Sequence, residues 1–186
     1  DSSAGMTITA GTVQVYDGIF LPNVFMLQAG GTLVGEASFG TINAAAGGTL
    51  MTDEAADTTC DSFTGGATAV FRPNLDAGTL LKMTTSAINL ANTKLDPVRS
   101  TVPAVGSQFM ILQNTSAAAI TSHFTSPTGT VLNEGATFTT PFAVYKISYV
   151  GGTGNDVVLT TQLPTVTGVT RIWDGGGGGD TAWMTA

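Results

Sequence analysis

Four short phrases built on Gly-Thr set the strongest limit on this chain: 10-AGTV-13, 29-AGGTLV-34, 46-AGGTLM-51 and 77-AGTLL-81. The Gly-Thr pairs start at Gly11, Gly31, Gly48 and Gly78, and the last gap is the widest. Glycine permits a tight corner, and the Thr, Val and Leu behind it suit a short pleated strand. Corners followed by short strands at about 20-residue spacing match the coil length of a β-solenoid, in which each coil buries its inner face only by stacking on its neighbours. Further strand-length segments, 6-MTITAGTVQV-15, 24-VFMLQ-28, 67-ATAVF-71, 79-TLLKM-83 and 86-SAINLAN-92, lie among the phrases. Residues 1–105 therefore read as solenoid coils, and the widest gap, holding 53-DEAADTTCD-61, as an insertion near 53–66. Asn43, Asn89, Asn92 and Asn114 suit corners or stacked ladders. A β-sandwich with irregular hairpins is the alternative.

Composition agrees with an all-β chain. Among 186 residues there are 32 Thr, 24 Gly and 22 Ala, and no segment keeps a 3.6-residue apolar stripe for three turns. Charged residues make up 10%, Lys and Arg number 6, and the net charge is −7. That argues against nucleic acid and anionic membranes, which need clustered cations. No apolar run reaches the roughly 20 residues of a membrane-spanning helix. The opening DSSAG has neither an initiator Met nor a signal pattern, so a processed chain or a piece of a longer one is expected.

From residue 106 the pattern changes. The strand-like 107-SQFMILQN-114 leads through 129-GTVLNEGATFTT-140 to 142-FAVYKISYV-150, which alternates cleanly. Tyr145, Ile147 and Tyr149 face one way, while Val144, Lys146, Ser148 and Val150 face the other. With 157-VVLTT-161 as the next strand, 151-GGTGND-156 joins a hairpin. Residues 106–161 thus close the unit. Residues 162–186 pass from a Leu163-Pro164 linker into 165-TVTGVTRIW-173 and the run Gly175, Gly176, Gly177, Gly178 and Gly179, flanked by Trp173 and Trp183.

The combination 109-FMILQN-114, Phe124, 129-GTVLNEGATFT-139 and 145-YKISYVGGTGNDVVLT-160 resembles the closing segment of bacterial autotransporter-associated β-strand repeat modules. The terminal 171-RIWDGGGGGDTAWMTA-186 resembles the opening of the next such module, and the AGTL coils resemble the same family's solenoid body. The 53–66 segment has no counterpart there. The resemblance implies a right-handed parallel β-helix, at the cell surface or outside the cell and often in tandem array. It does not imply catalysis.

Candidate sites divide between chemistry and structure. Gly151–Leu159 fits the calcium nonapeptide G-G-x-G-x-D-x-U-x, which makes Asn155 and Asp156 candidate calcium ligands. The next nine residues contain no Asp, so one copy supplies only part of a six-to-eight-oxygen shell, and a turn closed by Asn155 and Asp156 is the preferred reading. The acidic group Asp53, Glu54, Asp57 and Asp61 lacks calcium-loop spacing and reads as solvated. His123, the only histidine, excludes multi-His metal sites, and 121-TSHFTS-126 holds no nucleophile elbow. Arg72, Lys82, Lys94 and Arg99, with Asp76 and Asp96, are the residues from which a carbohydrate-active β-helix would have to be built. Cys60 stands alone and forms no internal disulfide; it is a core residue or an intermolecular crosslink.

The expectation is an extracellular structural module without catalysis or cofactor, whose partners are copies of itself in a head-to-tail filament or tandem-array stalk. Trp173, Gly175–Gly179 and Trp183 would form the link between units. A monomeric adhesin presenting Tyr145, Tyr149 or the 53–66 loop to surface glycans or other cells is one alternative, and a carbohydrate-active β-helix enzyme is the other.

Overall fold

The computed structural model describes residues 5–16, 19–52, 57–76 and 82–163, together with the strand backbones at 171–172 and 184–185. The chain is a β-solenoid of about 4 turns and contains no helix among the described residues. Two sheets form its sides. In sheet A, β1 (Met6–Ile8), β3 (Phe20–Gln28), β5 (Ser38–Ala46), β7 (Thr58–Thr64), β9 (Met83–Asn89) and β11 (Gln108–Asn114) pair in that order, all parallel. In sheet B, β2 (Gly11–Val15), β4 (Gly31–Gly35), β6 (Gly48–Thr52), β8 (Ala69–Arg72), β10 (Lys94–Leu95) and β12 (Phe124–Thr125) do the same. Consecutive strands alternate between the sheets, so each coil contributes one rung to each side. The all-parallel register sets aside the β-sandwich.

Stacked rungs place like residues above one another. On sheet B, Val13, Leu33, Leu50, Phe71 and Leu95 form one inward column, while Thr12, Thr32, Thr49 and Val70 form the outward column beside it. On sheet A, Phe25, Ile42, Phe63 and Ile88 stack in the same way. Each inward Leu, Ile or Phe removed from water contributes about 1.5–3 kcal/mol, and a shared core is what gives the short rungs stability. The Gly-Thr phrase thus encodes a rung: glycine at the corner, Thr outside, Leu inside. At Gly31 a Cβ would sit 2.2 Å from the Ile8 carbonyl oxygen, and at Gly48 it would sit 2.7 Å from that of Gln28 while φ is +88°. Only glycine lets the chain turn that close to the rung beneath.

Three sequence expectations need correction. Residues 53–66, expected as an insertion, contain β7, whose Thr58, Cys60 and Phe63 point inward in register with β5 and β9. Its polar letters misled because Thr and Ser occupy outer-face positions of β7, as Thr does in β2, β4 and β6. The fourth sheet-B rung starts at Ala69, paired with Gly48, rather than at the Gly78 phrase, which lies outside the described residues. The boundary after residue 105 also falls inside the parallel stack, because β11 and β12 still pair parallel with β9 and β10. The asparagines form no continuous ladder: Asn43 and Asn89 are separated by Thr64, while Asn92 occupies a corner at φ 62°.

From the second coil onward, the length of chain in each coil grows. The register partners show it directly: Phe25 lies under Ile42, Ile42 under Phe63, Phe63 under Ile88, and Met83 under Leu112, each step wider than the one before. Part of the added chain pairs with itself: Asn74 bridges Val98 in parallel, and the Leu75 amide donates to the Val98 carbonyl. The stack then reverses direction. β16 (Asp156–Gln162) lies antiparallel on β11, β15 (Val144–Gly151) antiparallel on β16, and β14 (Thr137–Thr139) antiparallel on β15. On the other side β13 (Val131–Leu132) closes sheet B against β12. Farther along, β17 (Arg171–Ile172) and β18 (Met184–Thr185) pair antiparallel with each other.

Candidate functional site

The nonapeptide-like segment is the turn between β15 and β16. Asp156 is fully buried; its Oδ1 accepts from the Asn114 amide at 2.9 Å, and its Oδ2 accepts from the Thr153 amide and hydroxyl at 2.9 and 3.1 Å. The Asn155 side-chain amide donates to the Ser116 and Ala118 carbonyls, and its oxygen accepts from the Thr153 hydroxyl. Gly152 and Gly154 take positive φ of 53° and 106°, as this tight loop requires. The two candidate calcium ligands therefore lock the hairpin to the loop after β11. A hydrogen bond to a charged group contributes about 1.5–3 kcal/mol. Among the described residues, no three His, Cys, Asp or Glu side chains gather where they could hold a metal.

Six charged residues of the solenoid body fall into three pairs between neighbouring coils. Lys82 Nζ lies 2.6 Å from Asp57 Oδ2, Arg72 Nε 3.1 Å from Asp96 Oδ2, and Arg99 Nε 4.0 Å from Asp76 Oδ1. Arg72 Nε has ion-pair distance without hydrogen-bond geometry, and that pair is two-fifths exposed, so it adds little to stability. Arg99 also donates to the Leu75 carbonyl at 2.7 Å and lies 5.0 Å over the Phe109 ring. These contacts hold coil to coil. Asp61 is exposed on β7, whereas Asp53 and Glu54 lie outside the described residues.

Tyr145 and Tyr149, expected as an exposed ligand patch, are instead buried, at 1% and 4% exposure. The period-2 pattern assigned them correctly to one face; that face is the core. The Tyr149 hydroxyl donates to the Leu132 carbonyl and accepts from the Phe124 amide, which ties the closing hairpin to sheet B. Burial pushes its pKa well above its ordinary value near 10, against the opposing effect of the Phe124 hydrogen bond. His123 packs edge-on against the same ring at 4.9 Å. Cys60 is buried between Phe39 and Thr85 in the sheet A stack, and burial pushes its thiol up to about 11, so the folded chain withholds it from intermolecular crosslinking.

The two ends of the solenoid differ. At the late end the edges are β14 and β13, three and two residues long. An apolar groove of about 260 Å³ lies there, walled by Val102, Val105, Phe142, Val144 and Gln162, the last residue of β16. At the early end, β1 and β2 are the outermost parallel rungs among the described residues. There Met6, Tyr16, Ile19, Phe20 and Val24 are exposed, Phe20 to 67%. Sequence reading identified linker residues but not this apolar end. The signal was available in the unbroken uncharged runs 5–16 and 19–28.

The proposed link residues Trp173, Gly175–Gly179 and Trp183 lie outside the described residues. No helix of the described residues is long and apolar enough to cross a membrane. Comparison of the whole chain with protein-family models, curated proteins and solved structures finds no match in any of the three.

Proposed function

We propose that this chain is an extracellular structural module that builds a head-to-tail filament or a tandem-array surface stalk, without catalysis. The observation that carries the reading is the inequality of the two ends. One end finishes in short antiparallel strands; the other finishes in parallel rungs with exposed apolar side chains and no charge on the described residues 5–16 and 19–28. Unlike ends on one body favour a heterologous contact, and a heterologous contact that does not close generates a linear array. The Thr-rich outer columns, the low charge and the resemblance to autotransporter-associated repeats point the same way. The ion pairs between coils support a structural role for the body's charges.

Negative-stain microscopy of the purified chain at rising concentration tests the reading. Linear polymers are expected, and deletion of residues 165–186 should leave single particles. Polymers of normal order from the deleted chain would remove the link from that segment. Single particles from the intact chain at every concentration would favour the monomeric adhesin.

A further inference from the structure

The early end of the solenoid has the properties of an acceptor. β1 and β2 leave a row of backbone donors and acceptors facing outward, with nothing paired beyond them among the described residues. Exposed parallel edges invite pairing, and soluble proteins blunt them with charges, prolines or bulges. Here Pro22 is the only proline in the described residues 5–16 and 19–28, which hold no Asp, Glu, Lys or Arg. The register of β1 on β3 takes in only Phe25, Met26 and Leu27, and Phe20 and Val24 project beside it into solvent.

The same chain holds a strand pair in need of a sheet. β17 and β18 pair with each other and with no third strand among the described residues. A lone two-stranded hairpin is at best marginal in water. Within one molecule it falls short of the open end. From β16, six strand steps lead to β1, and a seventh would be needed to pair beyond it. At about 4.8 Å per step that is about 34 Å. The chain from Leu163 to Arg171 makes eight Cα-to-Cα steps and spans at most about 29 Å when fully extended.

We propose that the open end, formed by the edges of β1 and β2 with Met6, Tyr16, Ile19, Phe20 and Val24, is the docking site for the Arg171–Thr185 hairpin of a second copy of this chain. The proposal rests on the head-to-tail reading above and names its interface. The hairpin adds rungs to the acceptor by strand addition: main-chain hydrogen bonds hold it, and the apolar side chains of the end cover it. The late end finishes in antiparallel strands rather than parallel rungs, and that difference gives the contact its direction.

The only two tryptophans, Trp173 and Trp183, lie within the donor segment, so fluorescence reads it alone. For the full chain, Trp emission should shift to the blue as concentration rises, in step with sedimentation mass. The double variant Phe20→Lys and Val24→Lys, both at exposed positions, should keep the melting transition and lose both changes, with association weakened roughly tenfold or more. Mixed with Ile172→Pro, which keeps its acceptor and loses its donor, this variant should form one-to-one dimers and nothing longer. Polymerisation of the double variant as strongly as the parent places the acceptor elsewhere and overturns the proposal while leaving the filament reading intact. Polymers whose emission does not move exclude the hairpin as donor. An intact chain that stays monomeric at every concentration overturns the head-to-tail reading itself.

Discussion

Single residues in this fold carry either a column or a crosslink, and Cys60 and Tyr149 show the difference. Cys60 fills an inward position shared with Phe39 and Thr85, whereas Tyr149 spans the space between the closing hairpin and sheet B. Both are held neutral by burial, with folded pKa values above their ordinary ones. The unfolded chain therefore releases these protons first. For Cys60, the stability is fully present below its ordinary value of 9.0 and falls as pH rises from there to about 11. Two pKa units correspond to roughly 2–3 kcal/mol. Thermal melts from neutral pH upward should show a plateau followed by a decline, and Cys60→Ala should flatten the early part of that decline. Legibility at this scale was partial. The alternation of 142-FAVYKISYV-150 gave the right face for both tyrosines, yet nothing in the letters told core from ligand surface, because an aromatic stripe serves either. Asp156 resembled a metal ligand because a tight turn and a calcium loop ask for the same small and acidic residues.

At the level of the element, the rung is the unit of information. Gly31 and Gly48 were legible as rung starts because a corner that grazes the previous rung admits only glycine, and Gly11 because its φ of 76° favours glycine. The next rung, starting at Ala69, escaped because its corner glycines, Gly65 and Gly66, are followed by Ala67 and Thr68 rather than forming a Gly-Thr pair. β7 escaped for a different reason: Asp57 and Asp61 flank or occupy it, and polar outer-face residues blur a strand whose inner face is only Thr58, Cys60 and Phe63. Inward and outward positions of one rung should respond very differently. Leu50 is fully buried between Leu33 and Phe71 in the sheet-B column. Leu50→Ala should cost about 2–5 kcal/mol. The outward neighbour Thr49→Ala should change stability by about 0.5 kcal/mol or less. Urea unfolding midpoints of the two variants, compared at equal slope, check the assignment of faces.

For the whole molecule, stability follows from nearest-neighbour stacking, so each rung depends on how many neighbours it has. The outermost rungs β1 and β2 have one each, while β7 and β9 lie between two partners and β11 is clasped by β16. Amide hydrogen exchange should rise in protection from the early end toward β9 and β11 in the dilute chain. Protection of residues 6–15 should then increase selectively at concentrations where copies associate. Equal protection at both ends in the dilute chain would contradict a solenoid with only one clasped end. The architecture itself was open to sequence reading because repetition is a global signal that survives local irregularity. The ends were not, since an edge is defined by what fails to follow it.

The lengthening of successive coils, from the one between Phe25 and Ile42 to the one between Met83 and Leu112, has a consequence for any array built from this chain. A cylinder stacked on a cylinder makes a smooth rod, but here a slender early coil would face the antiparallel cap of a broad last one at every joint. The outline would be a sawtooth, stepping once per subunit. Each step would form a ledge around the thread, and the direction in which the ledges face would record the polarity of growth.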